Sequence, residues 1–167
     1  MDAYKAIITK RDTRAYTDKP IPDEVLRRII QAGRMAGSSK NTQPVRLVVV
    51  RDKTWMAELA KCGNFTEPLG PARVAIALCA ESKGTNKEDF DVGRAAQNIM
   101  IAAWNEGIAS CPVSMHDQEC ITSKLGVPEG WRVPVMIALG YPDPNVPMSL
   151  GRKRRPMEEF VRYERWS

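Results

Sequence analysis

Few side chains in this sequence are suited to covalent catalysis. His116 is the only histidine, and Cys62, Cys79, Cys111 and Cys120 are the only cysteines. His116 and Asp117 are adjacent and could form an acid–base pair, but such a dipeptide more often opens a helix. No CxxC occurs, and four well-placed zinc ligands are hard to assemble from this set. Cys79 lies in an apolar run and reads as a small buried hydrophobe. Cys111, in a loop-like stretch after Ser110, is the one cysteine to watch for reactivity. The eleven glycines never form GxG, and GxxxxGK[ST] and GxSxG are also absent. Those absences remove the dinucleotide fingerprint, the P-loop and the nucleophile elbow. If the chain is an enzyme, its chemistry is expected to come from a bound cofactor.

Charge offers a second lead. The formal net charge is +5, and part of the excess lies in one run, Arg152-Lys153-Arg154-Arg155. That balance suits anionic partners, including phosphate-bearing cofactors, anionic substrates and nucleic acid. Aromatic residues are only 7% of the chain, and no basic-aromatic stripe suggests a platform for single strands.

The elements that must position these groups follow from patterning. With 167 residues the chain is read as one domain spanning 1–167, able to bury roughly 70% of its unfolded surface. No apolar run is long enough for a bilayer, and the first residues lack the pattern of a signal peptide. A cytoplasmic protein with no membrane partner is the expectation. Tyr4, Ile7 and Ile8 form a helical stripe. Pro22-Asp23-Glu24 opens a helix lined by Val25, Leu26, Ile29, Ile30 and Gly33, stopping near Gly37. Strands are expected over 46–51, 72–80, 108–113 and 133–140. Pro112 interrupts the third, and Pro134 marks the fourth as an edge or a strand start. Further helices are expected from Asp52 to Gly63, over 88–106 and over 118–125. Alternation of this kind ordinarily suggests a parallel, doubly wound sheet, but periodicity leaves the topology open. The tail from about 143 to 167 holds Phe160, Val161, Tyr163 and Trp166 with little local core, so it must pack on its own body or on a partner.

Several segments, taken in order, resemble the nitroreductase family. Lys10-Arg11-Asp12-Thr13-Arg14-Ala15-Tyr16 followed by Pro20-Ile21-Pro22 is similar to its R-R-S-x-R-x-F and P-x-P opening. The stretch from Ala36 to Pro44 (AGSSKNTQP) resembles A-P-S-x-x-N-x-Q-P-W. Asp91-Val92-Gly93 through Gln97-Asn98 resembles D-x-G-x-A-x-Q-N. Leu125 to Gly130, Ala138 to Pro142 and Arg154 to Glu159 also match, so the resemblance covers nearly the whole chain.

The resemblance implies an α+β fold, a nitroreductase-like sandwich. Its sheet is mixed but mainly antiparallel and flanked by helices, and the C-terminal tail is exchanged with the partner of a homodimer. It implies FMN as cofactor, NADH or NADPH as electron donor and a small-molecule electron acceptor, nitroaromatics and quinones being typical, reduced by ping-pong hydride transfer at flavin N5. No nucleic-acid partner is implied, and no catalytic side chain is required. By the same resemblance Lys10 or Arg11, together with Arg152 and Arg154, serves the FMN phosphate, with Asp12 and Thr13 in the same opening motif. Arg14 serves the pyrimidine edge. Ser38, Ser39 and Asn41 reach the flavin from the other subunit. Val113, Ser114 and Met115 form the loop whose backbone approaches N5. Gln97 and Asn98 are expected to be structural. Asp12 in place of the common Ser occurs also in the flavin-destructase branch. That leaves a specialised flavin reaction of destructase or dehalogenase type, or a non-catalytic FMN-binding module, as alternatives.

Overall fold

A computed structural model describes residues 2–82, 87–148 and 153–166. Four strands, β1 (Val45–Val50), β2 (Val74–Glu81), β3 (Ala109–Ser114) and β4 (Trp131–Gly140), form one sheet in the order β1-β2-β4-β3. All three strand pairs are antiparallel, so the parallel arrangement suggested by alternation is overturned. The one parallel pairing among the described residues is an isolated bridge between Asp12 and Ser110.

Helices cover both faces. β2 alternates Val74, Ile76 and Leu78 toward one layer with Ala75, Ala77 and Cys79 toward the other, the period of two expected of a strand. On the first face α2 (Asp23–Arg34) and α4 (Lys87–Asn105) pack through Leu26, Ile29 and Ile99. Full burial of each such side chain contributes roughly 1.5–3 kcal/mol. Gly33 lets the two helices meet, because a Cβ there would stand 2.7 Å from Ile99 Cγ1. On the second face α3 (Lys53–Ala60) and α5 (Gln118–Leu125) bury Met56, Leu59 and Ile121.

Local signals account for most helix ends. Asp52 and Asp117 cap α3 and α5 by accepting hydrogen bonds from Trp55 N and Cys120 N. The acid–base reading of His116–Asp117 thus gives way to helix capping. Pro22 precedes the first residue of α2 rather than lying in its first turn, and α2 ends at Arg34, before Gly37.

Two proline expectations are corrected. β4 is a central strand, not an edge. Val135 pairs with Leu78 and Arg132 with Ala80, so two residues of β4 oppose Cys79 and Pro134 falls in the bulge, where a missing N–H is tolerated. Pro112 lies within β3 without interrupting it, and Cys111 beside it is strand, not loop.

Outside this body lie two apolar surfaces. α1 (Ala3–Thr9) buries Ala6 but leaves Tyr4, Ile7 and Ile8 at least half exposed. α6 (Met157–Phe160) and the residues after it expose Met157, Phe160, Tyr163 and Trp166, the last at 89%.

Candidate active site

The outer edge of β3 carries the first cluster of candidate residues. Thr13 N donates to Ser110 O at 3.0 Å beside the Asp12–Ser110 bridge, laying residues 10–14 along that edge. Tyr16 anchors the segment. Its ring packs on Gly140, where a Cβ would come within 2.7 Å of it, and its hydroxyl donates to Thr13 O at 2.5 Å. Burial pushes the pKa of this hydroxyl far up, so it stays a neutral donor.

Ladder parity decides which amides of the 112–115 stretch are free. Met115 N donates to Pro134 O at 3.2 Å, and Ser114 is opposite Val135. In an antiparallel pair the bonded and non-bonded positions alternate, so the backbone polar groups of Pro112 and Ser114 face away from β4. Pro112 therefore costs the ladder nothing, and Ser114 presents its N–H on the open edge. Val113 and Met115 bury their side chains.

The turn after Ser114 is tightly held. Gln118 Nε2 donates to Met115 O at 2.6 Å and to Val133 O at 2.9 Å, while its Oε1 accepts from Val133 N at 2.8 Å. Asp117 N donates to Cys62 O at 3.3 Å, and a disulfide joins Cys62 to Cys120. Phe65, 73% exposed, stands on the segment that follows Cys62.

The cations differ in availability. Arg14 is exposed, forms no ion pair among the described residues, and lies near enough to Cys111 to pull its thiol pKa down against the larger upward push of burial. Cys111 is thus a buried thiol with no sign of activation. Lys10 is mostly covered, and its ammonium is bound by the Asp12 carboxylate and by Met100 Sδ at 3.3 Å. Arg11 donates to the carbonyls of Ile8 and Lys10, both at 2.9 Å, closing the end of α1. Arg154 is exposed on the tail, without an ion pair among the described residues. Arg152 lies outside the described residues.

A family profile described as "Nitroreductase family" matches residues 7–68 and 64–141. The chain belongs to the nitroreductase family. A provisionally named NADH dehydrogenase/NAD(P)H nitroreductase of Archaeoglobus fulgidus is 33% identical over 150 residues, covering 84% of this chain and 86% of that protein. The structure of the NADPH:FMN oxidoreductase from Vibrio harveyi complexed with NAD+ is 27% identical, with a TM-score of 0.89 over 99% of this chain and 78% of that one. Bacillus megaterium NfrA2, at 22% identity, shares the fold with a TM-score of 0.90 over 100% of this chain and 76% of its own. Membership makes this chain an oxidoreductase of a family that includes NAD(P)H–flavin oxidoreductases.

Within this nitroreductase fold the second cluster lies at the other edge of the sheet. Ser38 Oγ accepts from Gln43 N at 2.8 Å, and a 3-10 turn spans Ser39–Asn41. Lys40, Asn41 and Gln43 have φ of 51°, 55° and 49°, a left-handed run of non-glycine residues of the kind that persists where surroundings or function hold it. The loop leads into β1 above a cavity of about 350 Å³ lined by Ile30, Gly37, Ser38, Pro44, Arg46 and Asp91. β1 and β3 are separated by two strands, three spacings or roughly 14 Å. One chain therefore places Lys10–Arg14 at Ser110, on the same strand edge that ends in Val113–Met115, and leaves Ser38, Ser39 and Asn41 at the opposite edge.

The residues along β3 fit an FMN in part. The unpaired Arg14 and the outward Ser114 N–H suit the flavin ring, whereas the Lys10 ammonium is already compensated by Asp12. Asn98 is structural, its Nδ2 donating to Ala32 O at 3.1 Å. Sequence reasoning missed Gln118, Phe65 and the Cys62–Cys120 bond. Nothing local to these residues marks them, and the two cysteines are 58 positions apart.

Proposed function

We propose that this protein is an FMN-dependent NAD(P)H oxidoreductase that reduces nitroaromatics, quinones or similar electron-poor acceptors, with two sites in a homodimer. The observation that carries the reading is the open edge of β3, where a free backbone donor, Ser114 N–H, shares the edge with the unpaired Arg14. When bound, FMN supplies two-electron hydride chemistry at N5, taking from the nicotinamide and giving to the acceptor. Ser114 N–H donates toward N5 and orients the ring. Arg14 places a fixed cation at the pyrimidine edge, favouring the negative charge that develops there. Arg154 and Arg152 serve the phosphate, joined by Lys10 to the extent that Asp12 releases it. Ser38, Ser39 and Asn41 complete the site from the second chain. The ion pair with Lys10 gives Asp12 a role that needs no specialised flavin reaction.

The test is direct. The purified protein is expected to be yellow, to release FMN rather than FAD on denaturation, and to bleach anaerobically with NADH or NADPH. A colourless protein that cannot be reconstituted with FMN contradicts the proposal.

A further inference from the structure

The Cys62–Cys120 disulfide joins the two segments that meet at the end of β3. Cys62, after α3, is fully buried, whereas Cys120, in the first turn of α5, is only half-buried. Of the two, Cys120 is the residue more accessible to an incoming thiolate. Cys79 and Cys111 do not compete, because both are buried in the sheet and burial pushes their thiol pKa values up.

Besides the bond, the segment 61–66 is held by the burial of Cys62 and Thr66 and by hydrogen bonds that stay mostly within it. Between the fully buried anchors Leu59 and Leu69, residues 61–66 carry the exposed Phe65. Thr66 Oγ1 donates to Ala60 O at 2.5 Å and approaches Gly63 O at 3.2 Å, both within the segment or at its root. Toward the Ser114–Asp117 turn there is one long hydrogen bond, Asp117 N to Cys62 O at 3.3 Å. Gly63 lies near the turn, where a Cβ would make only ordinary contact with Ser114 O at 3.7 Å. The turn itself does not depend on the bond. Gln118 ties it to β4, and Asp117 ties it to α5.

We propose that Cys62–Cys120 is a thiol-exchange site for a dithiol, and that opening it frees the Phe65 segment beside the active face. A thiolate of the dithiol attacks Cys120 Sγ, forming a mixed disulfide and expelling the Cys62 thiolate, which takes up a proton. The second thiol of the reductant then attacks its own sulfur in the mixed disulfide and releases Cys120, which is protonated in turn. The dithiol ends as a disulfide, and the protein gains two electrons and two protons. The exchange site stands without the flavin. Its effect on catalysis rests on the oxidoreductase reading above, because Phe65 then borders the face that acceptors approach.

The test uses the folded protein as purified. Samples are treated with dithiothreitol or with reduced thioredoxin, without denaturant, then alkylated and mapped by mass spectrometry, with hydrogen exchange followed in parallel. Opening by either reductant is expected to label Cys62 and Cys120 while Cys79 and Cys111 stay unlabelled. Exchange in residues 61–66 is expected to rise about tenfold while that in β3 stays constant. The double variant Cys62→Ser/Cys120→Ser should show the faster exchange from the start and ignore both reductants. A bond that opens only on unfolding, or exchange unchanged after opening, overturns the site. With the flavin loaded, KM for a bulky acceptor is expected to shift about threefold at constant reduction rate by the nicotinamide. An unchanged KM despite a freed segment overturns the coupling to catalysis and leaves the cofactor assignment to its own test.

Discussion

The two edges of the sheet are finished in different ways. At β3 the chain covers its own edge at Ser110, bridged by Asp12 and bonded by Thr13, with Tyr16 buried against Gly140, and leaves it open at Ser114. At β1 no strand among the described residues pairs with the outer edge, Arg46 and Val49 are exposed, and the preceding loop holds three non-glycine residues at positive φ. Under the proposed dimer, this uncovered edge and its constrained polar loop are where a second chain would dock. The stripe of α1 and the aromatics of the tail are exposed as well. The difference teaches that one chain holds part of the proposed flavin site at β3, while the part proposed at Ser38, Ser39 and Asn41 lies at the opposite edge.

The largest break in that comparison comes from removing what the β1 side lacks. Deleting residues 157–167 takes away Phe160, Tyr163 and Trp166, apolar groups suited to a large obligate interface. The truncated protein is expected to be monomeric or aggregated and to lose FMN with the dimer, as read by light scattering and flavin absorbance. A truncated dimer that keeps its flavin would separate the tail from the site. A smaller effect is expected on the β3 side. Arg14→Ala removes a charge-assisted contact of roughly 1.5–3 kcal/mol, so reduction by the nicotinamide should slow at least about tenfold and the flavin potential should fall. Folding should be unaffected, because Arg14 is exposed and unpaired. Loss of thermal stability with the potential unchanged would assign Arg14 a structural role.

Much of this arrangement was legible in the residues, and the exceptions have physical causes. Asp52, Asp117 and Gly126 mark helix ends by chemistry that acts within one turn, and α3 and α5 follow them. Strand direction is set by contacts between distant residues, so alternation misled while ordered motifs pointed to the antiparallel sheet. Pro134 suggested an edge or a strand start because a missing N–H is ordinarily placed there, and a bulge accommodates it equally well. The motifs identified Arg14 and Ser38 alike, but no spacing in the chain says that they sit at opposite edges. Asp12 was legible as a departure from the family pattern, yet its effect on Lys10 appears only when both side chains are placed.

The smallest effect concerns how the covered edge is held. Tyr16→Phe deletes the hydroxyl that donates to Thr13 O and should cost about 1 kcal/mol in chemical denaturation. It should also alter the alkaline limb of stability. The folded-state pKa of Tyr16 is raised above its ordinary value of 10.0, so the stability this adds is fully present below that pH and is lost as pH rises beyond it. The Phe variant should therefore lose less stability above pH 10.0 than the parent protein. Equal alkaline slopes would show that the hydroxyl does not govern that limb.

The central claim, a flavin site completed only by two chains, is tested most directly by sedimentation velocity followed at both the protein band and the visible flavin band. The account predicts that flavin sediments only with a dimer, at one FMN per chain, and that any monomer produced by dilution or by the tail deletion carries none. Flavin sedimenting with a monomer at full occupancy would contradict it.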